Sequence, residues 1–158
     1  MMRAIPEDCE LMRLALADAP GVRSVISGFL CEASFSWWRR DEELRRHQEA
    51  FPDLMELQLD AGKWKSRSVE SVLLQLAPAP VTAQDRELAA LVENGRSLFD
   101  DDSAGLVSAA QVKEVARFLE FLDPEVNAGE RWTALEEILD FYRRVAAVPG
   151  LAVIVAYQ

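Results

Sequence analysis

The chain has 158 residues, of which 50% are hydrophobic and 28% charged, the size and composition of one globular domain. Its 27 acidic residues against 17 basic ones give a net charge of -10, and a field of that sign repels phosphate backbones, so we expect no nucleic-acid partner. No apolar stretch approaches the roughly 18 residues of a membrane-spanning helix, and the N-terminus lacks the apolar segment of a signal peptide. We therefore expect one cytoplasmic domain, residues 1–158, with no membrane partner.

Periodicity and turn residues predict most of the elements. The first half of the chain predicts a short edge strand at 3–5, a helix that ends at 20–21, an apolar helix at 22–31 and an exposed charged helix at 39–49. An apolar helix from 69 that ends before Pro78 comes next, followed by a helix that starts after the cap Thr82 and ends at 94–95. The last third predicts a short strand at 106–107 and helices at 108–122 and 133–147.

The last third of the chain indicates the fold class. Residues 151–157 are wholly apolar and rich in β-branched side chains, which favours a strand covered on both faces. Capping boxes, Ser108 with Gln111 and Thr133 with Glu136, begin the two helices before it. Because regular βαβ alternation is missing, the sequence predicts one compact α+β domain, with about six helices packed on a small mixed sheet that includes the C-terminal strand.

The charged segment predicts surface ion pairs. Asp41 with Arg45 and Glu42 with Arg46 place an acid four residues before a base, the favourable order on a helix. The single histidine, His47, has an acid one turn before it and no nucleophile nearby in sequence. We interpret it as a surface residue.

Candidate catalytic and metal sites are missing from the sequence. Cys9 and Cys31 lie among apolar residues and suit reduced thiols, no ligands cluster at zinc spacing, and no glycine-rich phosphate loop occurs. Consecutive side chains in an extended loop point to opposite sides, so the run Asp100, Asp101 and Asp102 suits a solvated turn better than a cation site. We predict no catalytic residues, no cofactor and no metal. The run remains suited to docking a basic partner.

The tryptophan pair Trp37-Trp38 is compatible with an interface or with packing under a loop. Neighbouring residues face different directions on any regular element, so one of the two rings is an interface residue or packs under a loop. The adjoining Arg39-Arg40 could suggest stacking on bases, but the net charge argues against that.

Short groups of residues spread over nearly the whole chain carry a family resemblance. They are Arg3-Ala4-Ile5-Pro6-Glu7-Asp8, Leu59-Asp60 with Lys63-Trp64, Leu106-Val107-Ser108 leading to Gln111-Val112, and Phe141-Tyr142-Arg143-Arg144-Val145-Ala146-Ala147 followed by Gly150. By these residues the chain resembles the YfbM-like family, a bacterial domain of unknown function. Lys65 stands where that family often has histidine, and the segment 125–131 is short. The resemblance implies an α+β fold and a bacterial cytoplasmic origin, and it brings no reaction and no catalytic residues.

Three functional hypotheses remain. The first is a non-enzymatic binding protein, an immunity protein that binds and neutralises a basic toxin or effector; small acidic proteins of such families often sit beside toxin genes. Its predicted contact residues are Trp37, Trp38, Asp100, Asp101 and Asp102. The second is a small-molecule-binding protein or a hydrolase-like enzyme, with a site built from Trp64, Trp132 and distant carboxylates. The third is a subunit of a homo-oligomer.

Overall fold

The described residues form seven helices and four strands. The computed structural model describes residues 1–30, 41–51, 57, 68–122 and 130–156. The strands are β1 (Met2–Pro6), β2 (Arg96–Ser97), β3 (Ala104–Val107) and β4 (Leu151–Ala156). The helices are α1 (Glu10–Leu16), α2 (Val22–Leu30), α3 (Glu42–Ala50), α4 (Val69–Leu76), α5 (Ala83–Asn94), α6 (Ala109–Glu120) and α7 (Glu130–Ala146). None of the described helices combines the length and the apolarity needed to cross a bilayer.

The strands form one sheet in the order β1-β4-β3-β2. Met2 of β1 lies opposite Val155 of β4, and Val107 of β3 lies opposite Val153. Every residue from Leu151 to Val155 is buried, so the predicted C-terminal strand is confirmed. All the described strand pairs are antiparallel, where we expected a mixed sheet. The reason is that α6 and α7 return the chain to the end of the sheet at which β3 finishes.

Helices cover both faces of the sheet. Strand residues alternate between faces, so Val153 and Val155 belong to one core while Ala152 and Ile154 belong to the other. Helices α4 to α7 complete the first core, and α1 to α3 complete the second. The predicted α+β class is therefore confirmed, with two helical layers around a four-stranded sheet.

Side-chain caps fix where two helices of the first layer begin. Thr82 and Ser108 each accept a hydrogen bond from the backbone N–H three residues later, and the side chains of Asp85 and Gln111 bond back. The predicted capping box at Ser108 and the predicted cap at Thr82 are therefore confirmed. Such a cap stabilises a helix by about 1 kcal/mol. The predicted helix start at Thr133 is wrong, because α7 begins at Glu130. Thr133 and Glu136 keep the three-residue spacing of a capping box although both lie within the helix, so the sequence could not distinguish the two cases.

Among the described residues, two charged side chains are buried on the side of the sheet that α1 to α3 cover, Arg3 at 6% exposure and Asp41 at 8%. The guanidinium of Arg3 lies 4.5 Å from the centre of the Phe29 ring and donates a hydrogen bond to the Phe29 carbonyl oxygen. The Asp41 carboxylate accepts hydrogen bonds from the backbone N–H of Leu44 at 3.1 Å and of Leu11 at 3.3 Å. Asp41 therefore caps α3 and ties it to α1.

The ion pairs of α3 differ in part from the prediction. The pair between Glu42 and Arg46 is confirmed, with 2.6 Å between its charged groups. The pair expected between Asp41 and Arg45 is not formed, because Asp41 turns inward to cap the helix. Arg45 instead lies 3.9 Å from Glu49.

The end of α5 crosses β3 at very short range. Gly95 ends α5 with a φ of +61°, a conformation that favours glycine. A Cβ atom on Gly105 of β3 would lie only 1.8 Å from the carbonyl oxygen of Asn94. Two glycines thus allow the backbone of the helix end to contact the strand directly.

Candidate partner-binding surface

The three consecutive aspartates lie in the loop that joins β2 to β3, and all of them are exposed. The Leu98 N–H donates to the Ala104 carbonyl oxygen at 2.9 Å, and the Asp102 N–H donates to the Phe99 carbonyl oxygen at 3.1 Å. The Ser103 N–H donates to the Asp101 carboxylate at 3.1 Å. These bonds hold the loop in one conformation, so its carboxylates are presented from an ordered backbone.

Phe99 fixes this loop to the body of the protein. Its side chain is 5% exposed and belongs to the second core. The Arg23 guanidinium of α2 lies 5.0 Å from the centre of the Phe99 ring, 2.9 Å from the Asp18 carboxylate and 3.4 Å from the Asp101 carboxylate. Asp18, in the turn between α1 and α2, is thereby placed beside the aspartate loop. Asp18, Asp100, Asp101 and Asp102 together are called the acidic patch below.

Two carboxylates of the acidic patch are held in the ionised form. The hydrogen bond from Arg23 lowers the pKa of Asp18. Hydrogen bonds from the side chain and backbone of Ser103 lower the pKa of Asp101. Arg23 is ion-paired with two of the four carboxylates, Asp18 and Asp101, so the patch keeps a negative excess at neutral pH.

The chemistry of the acidic patch is that of binding cationic side chains. Arg23 already bridges two of its carboxylates, Asp18 and Asp101. Among the described residues, no three His, Cys, Asp or Glu side chains are placed to hold one metal ion. Exposed carboxylates in this arrangement can form further ion pairs with cationic side chains.

The remaining predicted site residues are only partly described. Trp37, Trp38 and Trp64 lie outside the described residues, as does the side chain of Trp132. His47 is half-buried, with its ring centre 6.1 Å from that of Phe51. Its buried Nδ1 atom has no hydrogen-bond partner in the described part of the chain, so the expected surface pair is not made through that nitrogen.

A groove of about 560 Å³, which was not predicted from the sequence, lies between α6 and the start of α5. Leu88 and Phe118 are its buried apolar residues, and Pro78 and Pro80 line it from the connection between α4 and α5. Phe121, at the end of α6, also lines the groove and is 74% exposed. A phenylalanine three residues after Phe118 and outside the predicted buried stripe was the one feature that could have indicated it.

Comparison with known proteins assigns the chain to no family. No family model, no curated protein and no solved structure matches the chain. The resemblance to the YfbM-like family therefore stays a prediction.

Proposed function

We propose that this chain is a non-enzymatic binding protein of the bacterial cytoplasm that neutralises a basic toxin or effector by covering its surface. The observation that carries the proposal is the acidic patch, in which exposed carboxylates are presented by a hydrogen-bonded loop. A loop that is already ordered loses little conformational entropy when a partner binds, so more of the interaction energy appears as affinity.

The net charge of -10 supports the same partner class. A negative field attracts a basic protein over several ångströms and raises the association rate, while it repels the phosphates of nucleic acids. Close complementarity at the acidic patch would then orient the encounter. The predicted tryptophans Trp37 and Trp38 would add the apolar anchor that charged patches lack.

The test compares the wild-type chain with the triple variant Asp100→Asn, Asp101→Asn, Asp102→Asn. Asparagine keeps a side-chain oxygen for the Ser103 N–H and tolerates the positive φ of Asp102, so the loop should keep its shape while losing its charge. The matched control is Glu43→Gln, Glu49→Gln, Glu136→Gln, which removes three exposed charges elsewhere.

Each variant is tested against the purified products of the genes adjacent to its own gene, by biolayer interferometry at several salt concentrations. We expect one basic product to bind the wild type, with an association rate that falls steeply with salt. The aspartate variant should associate about tenfold more slowly and the control at nearly the wild-type rate. The proposal fails if no neighbouring product binds, or if the two triple variants behave alike.

A further inference from the structure

The most exposed large apolar side chain in the described chain is Phe121. Its relative exposure is 74%, against 63% for Leu16 and 41% for Leu14. An exposed phenyl ring that adjoins other apolar side chains forms an apolar surface patch, and such patches are often binding sites.

The groove beside Phe121 is large enough to receive a phenyl ring, with a volume of about 560 Å³. Its apolar lining comes from Pro78, Pro80, Leu88 and Phe118. A protruding aromatic side chain and an apolar recess thus lie side by side on one helix. That is the arrangement from which two identical surfaces can fit each other.

Three charged residues line the groove, Asp85, Glu114 and Arg117. The Asp85 carboxylate is already used in the cap of α5, whereas Glu114 and Arg117 are both exposed and carry opposite charges. Neither makes an ion pair within the described residues. Together with Phe118 and Phe121 they occupy positions i, i+3, i+4 and i+7, so all four lie on one face of α6.

We propose that the groove is covered by a second copy of this chain, in a two-fold symmetric dimer. With the axis near Arg117 and Phe118, the α6 helices of the two copies run antiparallel. Phe121 of each copy then lies against the groove of the other, and Arg117 of each reaches Glu114 of the other. Such an interface is closed, because the same residues appear on both sides and no surface remains for a third copy.

Dimerisation goes beyond the proposed function and does not depend on it. The groove belongs to the first helical layer, through Leu88 and Phe118, while the acidic patch is anchored in the second through Phe99. Both surfaces can therefore be occupied at once. Salt also separates the two kinds of binding, since screening weakens the attraction of a basic partner but relieves repulsion between two chains of charge -10.

The strength of the dimer can be bounded from the groove. It is lined by 11 residues on each copy, fewer than the roughly 20 to 30 per side of a standard interface. We therefore expect a dissociation constant of the dimer in the micromolar range, which sedimentation velocity from about 10 µM to about 1 mM chain measures. Raising the sodium chloride concentration from about 0.01 M to about 0.15 M should lower this dissociation constant, because salt screens the repulsion between the two chains.

Charge reversal gives the decisive test. E114R places two arginines opposite each other and R117E two glutamates, so each variant alone should dimerise at least about tenfold more weakly than the wild type. An equimolar mixture of the two restores both opposite-charge contacts and should restore the dimer. Phe121→Ser should also weaken it, whereas Leu16→Ser, which removes an exposed leucine from the other layer, should not.

A wild type that stays monomeric up to about 1 mM would overturn the proposal, since even a weak specific interface associates at that concentration. So would a mixture of the two charge variants that remains monomeric. If the wild type is monomeric but its melting temperature rises with a small metabolite, and Phe121→Ser abolishes that rise, the groove is a ligand site and the dimer is rejected. Circular dichroism of every variant separates these results from misfolding.

Discussion

At the residue scale, Asp41 shows how one buried carboxylate joins two helices. It accepts one hydrogen bond from α3 and another from α1. The sequence predicts a surface ion pair between Asp41 and Arg45, because the acid precedes the base by one helical turn. In the structure Leu44 is fully buried, so the start of α3 faces the core and the Asp41 carboxylate caps the helix instead of pairing with Arg45.

Asp41→Ala should lower the free energy of unfolding by about 3 kcal/mol, because it removes a helix cap and leaves the buried Leu11 N–H without an acceptor. Urea unfolding at neutral pH measures the change. The control is Ser68→Ala, which removes an exposed cap that accepts a hydrogen bond only from the Ser71 N–H; it should cost about 1 kcal/mol. Equal losses for the two variants would show that Asp41 acts as an ordinary cap.

Cys9 gives a pH-dependent prediction. Burial raises the pKa of its thiol from 9.0 to about 11. The folded state therefore favours the protonated thiol, and its contribution to stability is full below pH 9.0 and is lost as the pH rises through about 11. Urea unfolding of the wild type and of Cys9→Ala at about pH 8 and about pH 10.5 isolates this effect, since other titrating groups are common to both. The wild type should lose more stability than the variant; parallel losses would contradict the assignment.

At the scale of elements, the crossing of α5 and β3 should be the least tolerant point of the fold. A Cβ on Gly105 meets the carbonyl oxygen of Asn94 at 1.8 Å, and neither backbone can retreat, because Gly105 is paired with Val155 in the sheet. Gly105→Ala should therefore cost at least about 3 kcal/mol or prevent folding.

Gly150→Ala is the matched control for that substitution. Gly150 has a φ of +79° and no atom within 4 Å of the added Cβ, so alanine there meets only the backbone cost of about 1 kcal/mol. Circular dichroism and urea unfolding compare the two. If Gly105→Ala is no more harmful than Gly150→Ala, the contact between helix and strand is looser than its geometry indicates.

The same elements show what could be predicted from the sequence. The starts of α5 and α6 follow from Thr82 and Ser108, because a cap and its helix are neighbours in the chain. The strand β4 follows from an apolar run, because burial on both faces leaves no room for polar residues. The two-residue β2 could not be found, since it is exposed and exists only by pairing with β3.

The acidic patch, too, was predictable only where its residues are neighbours in the chain. Three of its four carboxylates are consecutive, and they were predicted from the sequence as contact residues. Asp18 and Arg23 are distant from these aspartates in the chain, and they meet the loop through the contacts of Arg23 with Phe99 and Asp101. The groove was missed for the same reason, because its lining comes from separate segments.

At the scale of the whole molecule, the charge of -10 should itself lower stability at low ionic strength. The free energy of unfolding in urea should rise when sodium chloride increases from about 0.01 M to about 0.15 M, because the screening length falls from about 30 Å to about 8 Å. The triple aspartate variant carries three fewer negative charges and should show a smaller rise. A decrease with salt would mean that local ion pairs outweigh the general repulsion.

The position of β4 between β1 and β3 has a consequence for biosynthesis. A ribosome makes β1, β2 and β3 well before β4, yet β1 and β3 meet only through β4. Until residue 156 has emerged, the nascent chain holds two strands whose inner edges have no neighbour, and these edges are open to chaperones and to other nascent chains. Translation speed over the last helix should therefore affect the yield of folded protein more than translation speed over the first two.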